Sequence, residues 1–199
     1  MAYTQKQLCK PEITDLNEIV FGMETLLSNV VRKDLSLKIE LEQQRLPVCV
    51  DAGQIEQVLM NLAANARDAL SKGGTLVVRT EETDQAAACS DVSWESASGR
   101  YAVLSVTDNG CGMSTETLDR MYEPYFTTKE VGKGTGLGLS ISHRIVEHHH
   151  GQIEVVNGQK GARFIVSLPV VQPIGASLGP AEKEKADQGR QGIHDASGN

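Results

Sequence analysis

Two hydrophobic rhythms alternate along the chain, and between them they predict most of its elements. Ile19, Met23, Leu26, Leu27 and Val30 recur at helical spacing, so a helix capped by Asp15 or Asn17 is expected to run to about Val31. "LSLKIELE" (35–42) alternates strictly between apolar and polar positions, the mark of a half-buried strand. "LPVCV" (46–50) is a short strand, at an edge because of Pro47. Asp51 with Gln54 three residues on resembles a capping box and opens a long helix, which Gly73-Gly74 stops. "TLVVRT" (75–80) and "RYAVLSVTDNG" (100–110) read as strands separated by a loop at 82–99, and Ser114 begins a short helix. A second substantial helix is expected from Thr135 to His150, ended by Gly151. "QIEVV" and "ARFIVSLPV" then form a hairpin about "NGQKG".

This order of helices and strands predicts an α+β fold: a two-layer α/β sandwich with a mixed sheet and helices on one face. Strands returning through tight turns exclude a fully parallel sheet. The polar stretch 1–14 reads as a tail or linker. The segment after Pro173 lacks aromatic residues and reads as a disordered tail.

Composition narrows the partners. The 199 residues carry a net charge of −7, which argues against a general nucleic-acid surface or an anionic membrane surface. Any bound anion would need local help from backbone amides and a few lysines. An apolar share of 40% suffices for a core, and no run approaches the roughly 20 apolar residues that span a bilayer. The cysteines at 9, 49, 89 and 111 form no C-x-x-C pair, so the thiols are read as reduced and the chain as cytoplasmic.

Four constellations carry chemistry. Asn61, Asn65 and Asp68 stand at i, i+4 and i+7 of the long helix and share one face. Polar groups beside a buried face either anchor a loop or serve a ligand, and one such ligand is Mg²⁺, which accepts one or two protein oxygens and takes the rest from phosphate and water. In "VTDNGCGM" (106–113), Asp108 points with Leu104 and Val106 toward an apolar face. "DNG" is a turn signal, and Gly110 and Gly112 also permit something flat to lie against the backbone. "EPYFTTK" (123–129) and "GKGTGLGLS" (132–140) follow, with Lys129 and Lys133 between or within them. The glycine run fits neither the P-loop nor the dinucleotide spacing, but glycines before a helix still suit an anion at its positive end. Three consecutive histidines, 148–150, point about 100° apart on a helix and read as a solvated helix end, not a metal site. Trp94 in the 82–99 loop either folds back onto the core or meets a partner.

In this order, N-x-x-x-N, D-x-G-x-G, P-x-F-T-T-K and G-x-G-T-G-L-G-L resemble the N, G1, F and G2 boxes of the GHKL (Bergerat-fold) ATPases, and most of all the ATP-binding domain of bacterial sensor histidine kinases of the nitrogen-regulator or hybrid type. The resemblance implies that ATP and Mg²⁺ are the cofactors, with Asn61 and Asn65 as the catalytic pair and Asn65 as the Mg²⁺ ligand. It implies that Asp108 accepts a hydrogen bond from adenine and that Gly110, Gly112 and Met113 lie against the base. Tyr125 and Phe126 would pack a lid on the body. Thr128, Lys129, Gly132, Lys133, Gly134, Thr135, Gly136, Leu137 and Gly138 would meet the phosphates, with Asp68 nearby in a role that varies in the family.

The domain division implied is 1–15 as the exit from dimerisation helices, 16–172 as the catalytic domain and 173–199 as a tail, leading in a hybrid kinase toward a receiver domain. The acceptor histidine would stand on a dimerisation domain before residue 1, and the response regulator would be an indirect partner. The fragment by itself is expected to be monomeric, with no nucleic-acid partner and no direct membrane contact. Two competing readings share the boxes: a hydrolytic GHKL ATPase, whose helix carries a glutamate base where this chain has Asn61, and an anti-sigma-like serine kinase. The hairpin "NGQKGARF" resembles a third glycine box with Ala162 in place of the usual threonine, which leaves its contacts open.

Overall fold

The computed structural model describes residues 9–84, 99–130, 134–158 and 160–171. Trp94, Cys89, Gly132, Lys133 and the segment after Pro173 lie outside them. Among the described residues seven strands and five helices follow one another: β1 (Glu12–Asp15), α1 (Leu16–Gly22), α2 (Glu24–Val30), β2 (Ser36–Glu40), β3 (Pro47–Val50), α3 (Ala52–Ala69), β4 (Thr75–Thr83), β5 (Tyr101–Asp108), α4 (Thr115–Arg120), α5 (Gly138–His148), β6 (Gln152–Asn157) and β7 (Ala162–Pro169).

Five strands form a mixed sheet in the order β2-β4-β5-β7-β6, in which β2 and β4 run parallel and the other neighbours antiparallel. β1 and β3 form a separate antiparallel pair, joined to the end of β7 through the Val48–Val170 bridge. Leu76, Val78, Leu104, Val106 and Val166 on the sheet and Ile55, Leu59 and Leu62 on α3 are almost wholly buried in one core. Each such side chain stabilises the fold by about 1.5–3 kcal/mol relative to exposure. On the opposite face Ser105 and Val103 stand directly across from Arg79 and Glu81, a charged layer that pairs Arg163 with Glu81 at 2.8 Å. The mixed two-layer architecture read from the alternating rhythms is therefore the observed one.

Local capping explains the two best-placed helices. Asp51 accepts from the Gln54 N–H at 3.2 Å to start α3, and Ser114 accepts from the Thr117 N–H at 3.2 Å to start α4.

Four expectations need correction. The N-terminal stretch read as a polar linker contains β1, whose backbone pairs with β3 although only Ile13 is strongly apolar there. The first helix is split at Met23, directly after Gly22, a weak helix former. The last helix begins at Gly138, not at Thr135, because Gly136 adopts φ +65, which no α-helix accommodates. His149 is not solvated. It is 4% exposed, with Nδ1 at 2.8 Å from the Ile145 carbonyl and Nε2 accepting from the Asp51 N–H at 2.9 Å. This histidine ties the end of α5 to the start of α3.

Candidate functional site

The C-terminal half of α3 forms one wall of a cavity of about 480 Å³. Because the helical repeat stacks positions four and seven residues apart, Asn61, Asn65 and Asp68 all line it. The opposite wall is the end of β5, where alternation carries Asp108 to the same side as Leu104 and Val106. Asp108 is only 6% exposed. Burial pushes its carboxyl above the ordinary aspartate value, against the hydrogen bonds from the Gly110 and Ala162 N–H groups. Gly110 donates to Oδ1 at 2.8 Å. The site thus holds a carboxylate acceptor in a slot lined by Ala66, Met121 and Phe164.

Gly112 adopts φ +66, a backbone state that disfavours side chains, and this bends Gly112 and Met113 into the cavity wall. Gly110 does not line the cavity. It packs on the α3 end instead, where a Cβ would stand 2.5 Å from the Ala69 carbonyl oxygen.

The other end of the cavity is built by Phe126 to Lys129 and by the described residues just before α5. Lys129 reaches across to α3, its Nζ 2.6 Å from Asp68 Oδ2 and 3.3 Å from Asn65 Oδ1. Arg67 flanks the same carboxylate at 2.7 Å. Burial would raise the Asp68 carboxyl, but hydrogen bonds and charge from Lys129 and Arg67 hold it below its usual value. Phe126, Thr128, Gly134, Thr135, Gly136 and Gly138 line this end. The Tyr125 N–H donates to the Gly136 carbonyl at 2.9 Å, closing the two ends of the segment on each other. Gly136 is needed for that closure, since a Cβ there would overlap the Tyr125 backbone. Asn61 donates to the Gly138 carbonyl at 3.2 Å and to Ser142 Oγ at 3.3 Å, and so fixes the start of α5 against α3.

Thirteen of the sequence-predicted residues therefore meet in one cavity: Asn61, Asn65, Asp68, Asp108, Gly112, Met113, Phe126, Thr128, Lys129, Gly134, Thr135, Gly136 and Gly138. Gly110, Tyr125 and Leu137 are not among its lining. Tyr125 does not pack on the body: its side chain is 76% exposed, and φ 68 turns it outward while its backbone makes the closure. Phe126 does pack, beneath the Arg120 guanidinium at 4.5 Å. Gly132 and Lys133 lie outside the described residues.

Sequence reading missed Ala162 and Phe164, which β7 brings to the Asp108 end. It also missed Asn157, whose amide holds the Met113 backbone. The sequence resemblance to a third glycine box leaves the hairpin's contacts open, and it is the sheet order, with β7 beside β5, that places it there.

Chemically, one end suits a flat ring bearing a hydrogen-bond donor. The other combines the Lys129 ammonium and the positive end of α5, which suit an anion, with the oxygens of Asn65 and Asp68, which suit a cation accompanying it. Among the described residues no group of three or more His, Cys, Asp or Glu side chains could hold a metal. Asn65 and Asp68 do offer adjacent oxygens, and both already face a cation, the Lys129 ammonium.

Residues 50–172 match the family described as histidine kinase-, DNA gyrase B- and HSP90-like ATPase. The chain is 40% identical over 170 residues to the sensor kinase CckA of Brucella abortus, covering 85% of this chain and 18% of that protein. It spans between 13% and 34% of the length of the curated relatives considered. Among solved structures, the nucleotide-free catalytic domain of histidine kinase ThkA superposes with a TM-score of 0.64 at 30% identity, over 80% of this chain and 95% of that one. Histidine kinase ThkA in complex with the response regulator TrrA gives a TM-score of 0.63 at 26% identity, over 85% and 44% of the two chains. With the asparagine face of α3, the buried aspartate of β5 and the glycine turn before α5 converging on one cavity, the chain belongs to this ATPase family, within it to the ATP-binding catalytic domains of sensor histidine kinases.

Proposed function

We propose that this domain binds Mg·ATP and presents the γ-phosphoryl group to a histidine on a separate dimerisation domain of the same kinase. The observation that carries the reading is the placement of Asp108 and the Asn65–Lys129 cluster at opposite ends of one cavity. In this reading Asp108 accepts a hydrogen bond from the adenine amino group, and Gly112 and Met113 lie along the base. Asn65 supplies an oxygen to Mg²⁺, a role supported by the cation already on its Oδ1. The ion would neutralise charge on the β- and γ-phosphates. Lys129 and the amides from Gly134 to Gly138 would face the polyphosphate, with Gly132 and Lys133 given the same role by the sequence resemblance alone, and Thr128 and Thr135 line the same end. Asn61 positions the first turn of α5, and Leu137 precedes that turn.

The bond between the γ-phosphorus and its bridging oxygen breaks as a phosphorus–nitrogen bond forms to a neutral imidazole nitrogen. ADP leaves, and the imidazole proton is released to solvent. Such a transfer depends mainly on in-line positioning and charge neutralisation.

The segment before Leu16 would carry the connection to the dimerisation helices. β1 pairs with β3, and the Lys10 N–H donates to Asp51 Oδ2 at 3.0 Å, so this entry is anchored on the domain. Residues 16–172 form the ATP-binding unit in this reading, with 173–199 a tail that follows it. A response regulator would receive the phosphoryl group in a later step. No helix among the described residues is long and apolar enough to cross a membrane.

The test mixes the chain with Mg·ATP and a separately prepared dimerisation-helix protein. The expected product is acid-labile, base-stable phosphate on that partner. Acid-stable phosphate on a serine would instead favour the serine-kinase reading, and inorganic phosphate release without any labelled protein would favour the hydrolytic ATPase.

A further inference from the structure

Asn157 ends β6, the edge strand of the five-stranded sheet, and its side chain is committed to one loop residue. Its Oδ1 accepts from the Met113 N–H at 2.8 Å, and its Nδ2 donates to the Met113 carbonyl at 2.7 Å. An amide that satisfies both backbone groups of a single residue fixes that residue in position and in rotation. The loop is also pressed onto it: a Cβ at Gly112 would stand 3.1 Å from Asn157 Oδ1. Met113 and Gly112 line the cavity at its Asp108 end. The same loop carries the Gly110 N–H that orients the Asp108 carboxylate.

We propose that Asn157 is a positioning residue for base recognition, acting through Met113 and through the loop that aims Asp108. This rests on the reading of the cavity as a nucleotide site and adds a determinant of its purine selectivity. A carboxylate held in one orientation accepts from the amino group of adenine and repels the carbonyl oxygen that guanine presents at the equivalent edge. Once the loop is released, the carboxylate and its walls can rotate, so affinity and discrimination fall together. The phosphate end lies elsewhere in the cavity, and its Mg²⁺ dependence is unaffected.

The experiment measures ADP and GDP binding to the full chain and to Asn157→Ala by calorimetry, with and without Mg²⁺. Hydrogen exchange at the Met113 amide is followed in parallel. ADP affinity should fall about tenfold in the variant, by the same factor with and without Mg²⁺. The ADP-to-GDP preference should shrink, and the Met113 amide should lose protection. Asn157→Asp, nearly isosteric, keeps the acceptor for the Met113 N–H but sets a carboxylate against the Met113 carbonyl, so it should fail to restore ADP affinity even where it folds as the wild type does. Unchanged ADP affinity and unchanged preference in both variants would overturn the inference while leaving the nucleotide site intact. A wild-type chain that binds neither nucleotide would overturn the underlying reading, and this inference with it.

Discussion

At the Asp108 end of the cavity the polar contacts run from side chain to backbone. Gly110 and Ala162 donate to the carboxylate, and Asn157 grips Met113. At the other end the contacts of Lys129 run from side chain to side chain, and it and Asp68 are each about one-third exposed. Backbone donors at strand ends are already held by the sheet, so the first end is formed before any ligand arrives. An ammonium on a four-carbon stem must be ordered, and it can be exchanged for another cation at low cost. In the proposed reading the Asp108 end therefore serves as a fixed template for the base, and the Lys129 end as a set of contacts that the polyphosphate would rearrange.

The sharpest way to break this contrast is Asp108→Asn. Replacing an ionised acceptor by an amide should weaken ATP binding about 10- to 100-fold, the range for hydrogen bonds to charged groups. Stability should move the other way. Burial raises the folded pKa of Asp108 above its unfolded value of about 3.9, so ionising this group opposes folding. Its contribution is most favourable below the unfolded pKa and declines as pH rises through the raised folded one. Thermal melts of both proteins across that acidic window should show the variant gaining on the wild type as pH increases. A variant that loses stability and ATP affinity together at neutral pH would mean that Asp108 is a structural anchor.

Asn65→Ala addresses the other end. Removing an oxygen ligand should lower Mg·ATP affinity about tenfold and leave Mg²⁺-free ATP binding nearly unchanged. Equal losses in titrations with and without the metal would separate Asn65 from Mg²⁺. Compared with Asn157→Ala, whose loss should ignore Mg²⁺, this substitution divides the cavity into its two halves.

Sequence order revealed which residues share one element's face, at both ends of the cavity, better than it revealed their long-range partners. Asp108 was legible because strict alternation in β5 fixes its side, and the capped helix α3 carried Asn61, Asn65 and Asp68 to one face by period alone. The Lys129–Asp68 pair joins residues 61 positions apart, and nothing local distinguishes Lys129 from a solvated lysine. Asn157, Ala162 and Phe164 reach the site only because β7 lies beside β5, a fact of sheet order. β1 escaped notice because backbone pairing with β3 forms it, while its most apolar side chain, Ile13, is 65% exposed. His149 was misread because a histidine inside a run of three gives no sign that its ring replaces solvent at the Asp51 N–H. Periodicity thus reports which face a residue occupies, and it is silent on which distant element completes that face.

Asp68→Asn should have the smallest effect and the most informative sign. Lys129 sits on both Asp68 and Asn65, at the oxygen that the proposed reading gives to Mg²⁺. Binding Mg·ATP then has to displace the ammonium, so apparent affinity is reduced by the fraction of molecules in which the seat is taken. Neutralising Asp68 loosens the lysine, and Mg·ATP affinity should rise about two- to fivefold. The cost to folding should stay below about 1 kcal/mol, the scale of a partly exposed ion pair. Lys129 and Arg67 hold the folded pKa of Asp68 below its unfolded value despite burial. The pair therefore stabilises the wild type above the unfolded pKa, and that stabilisation is lost as pH falls through the folded one, so the melting curves of wild type and variant should converge at the acid end. A fall in Mg·ATP affinity would instead make Asp68 part of the binding surface, and the Lys129 end would then be as preformed as the Asp108 end.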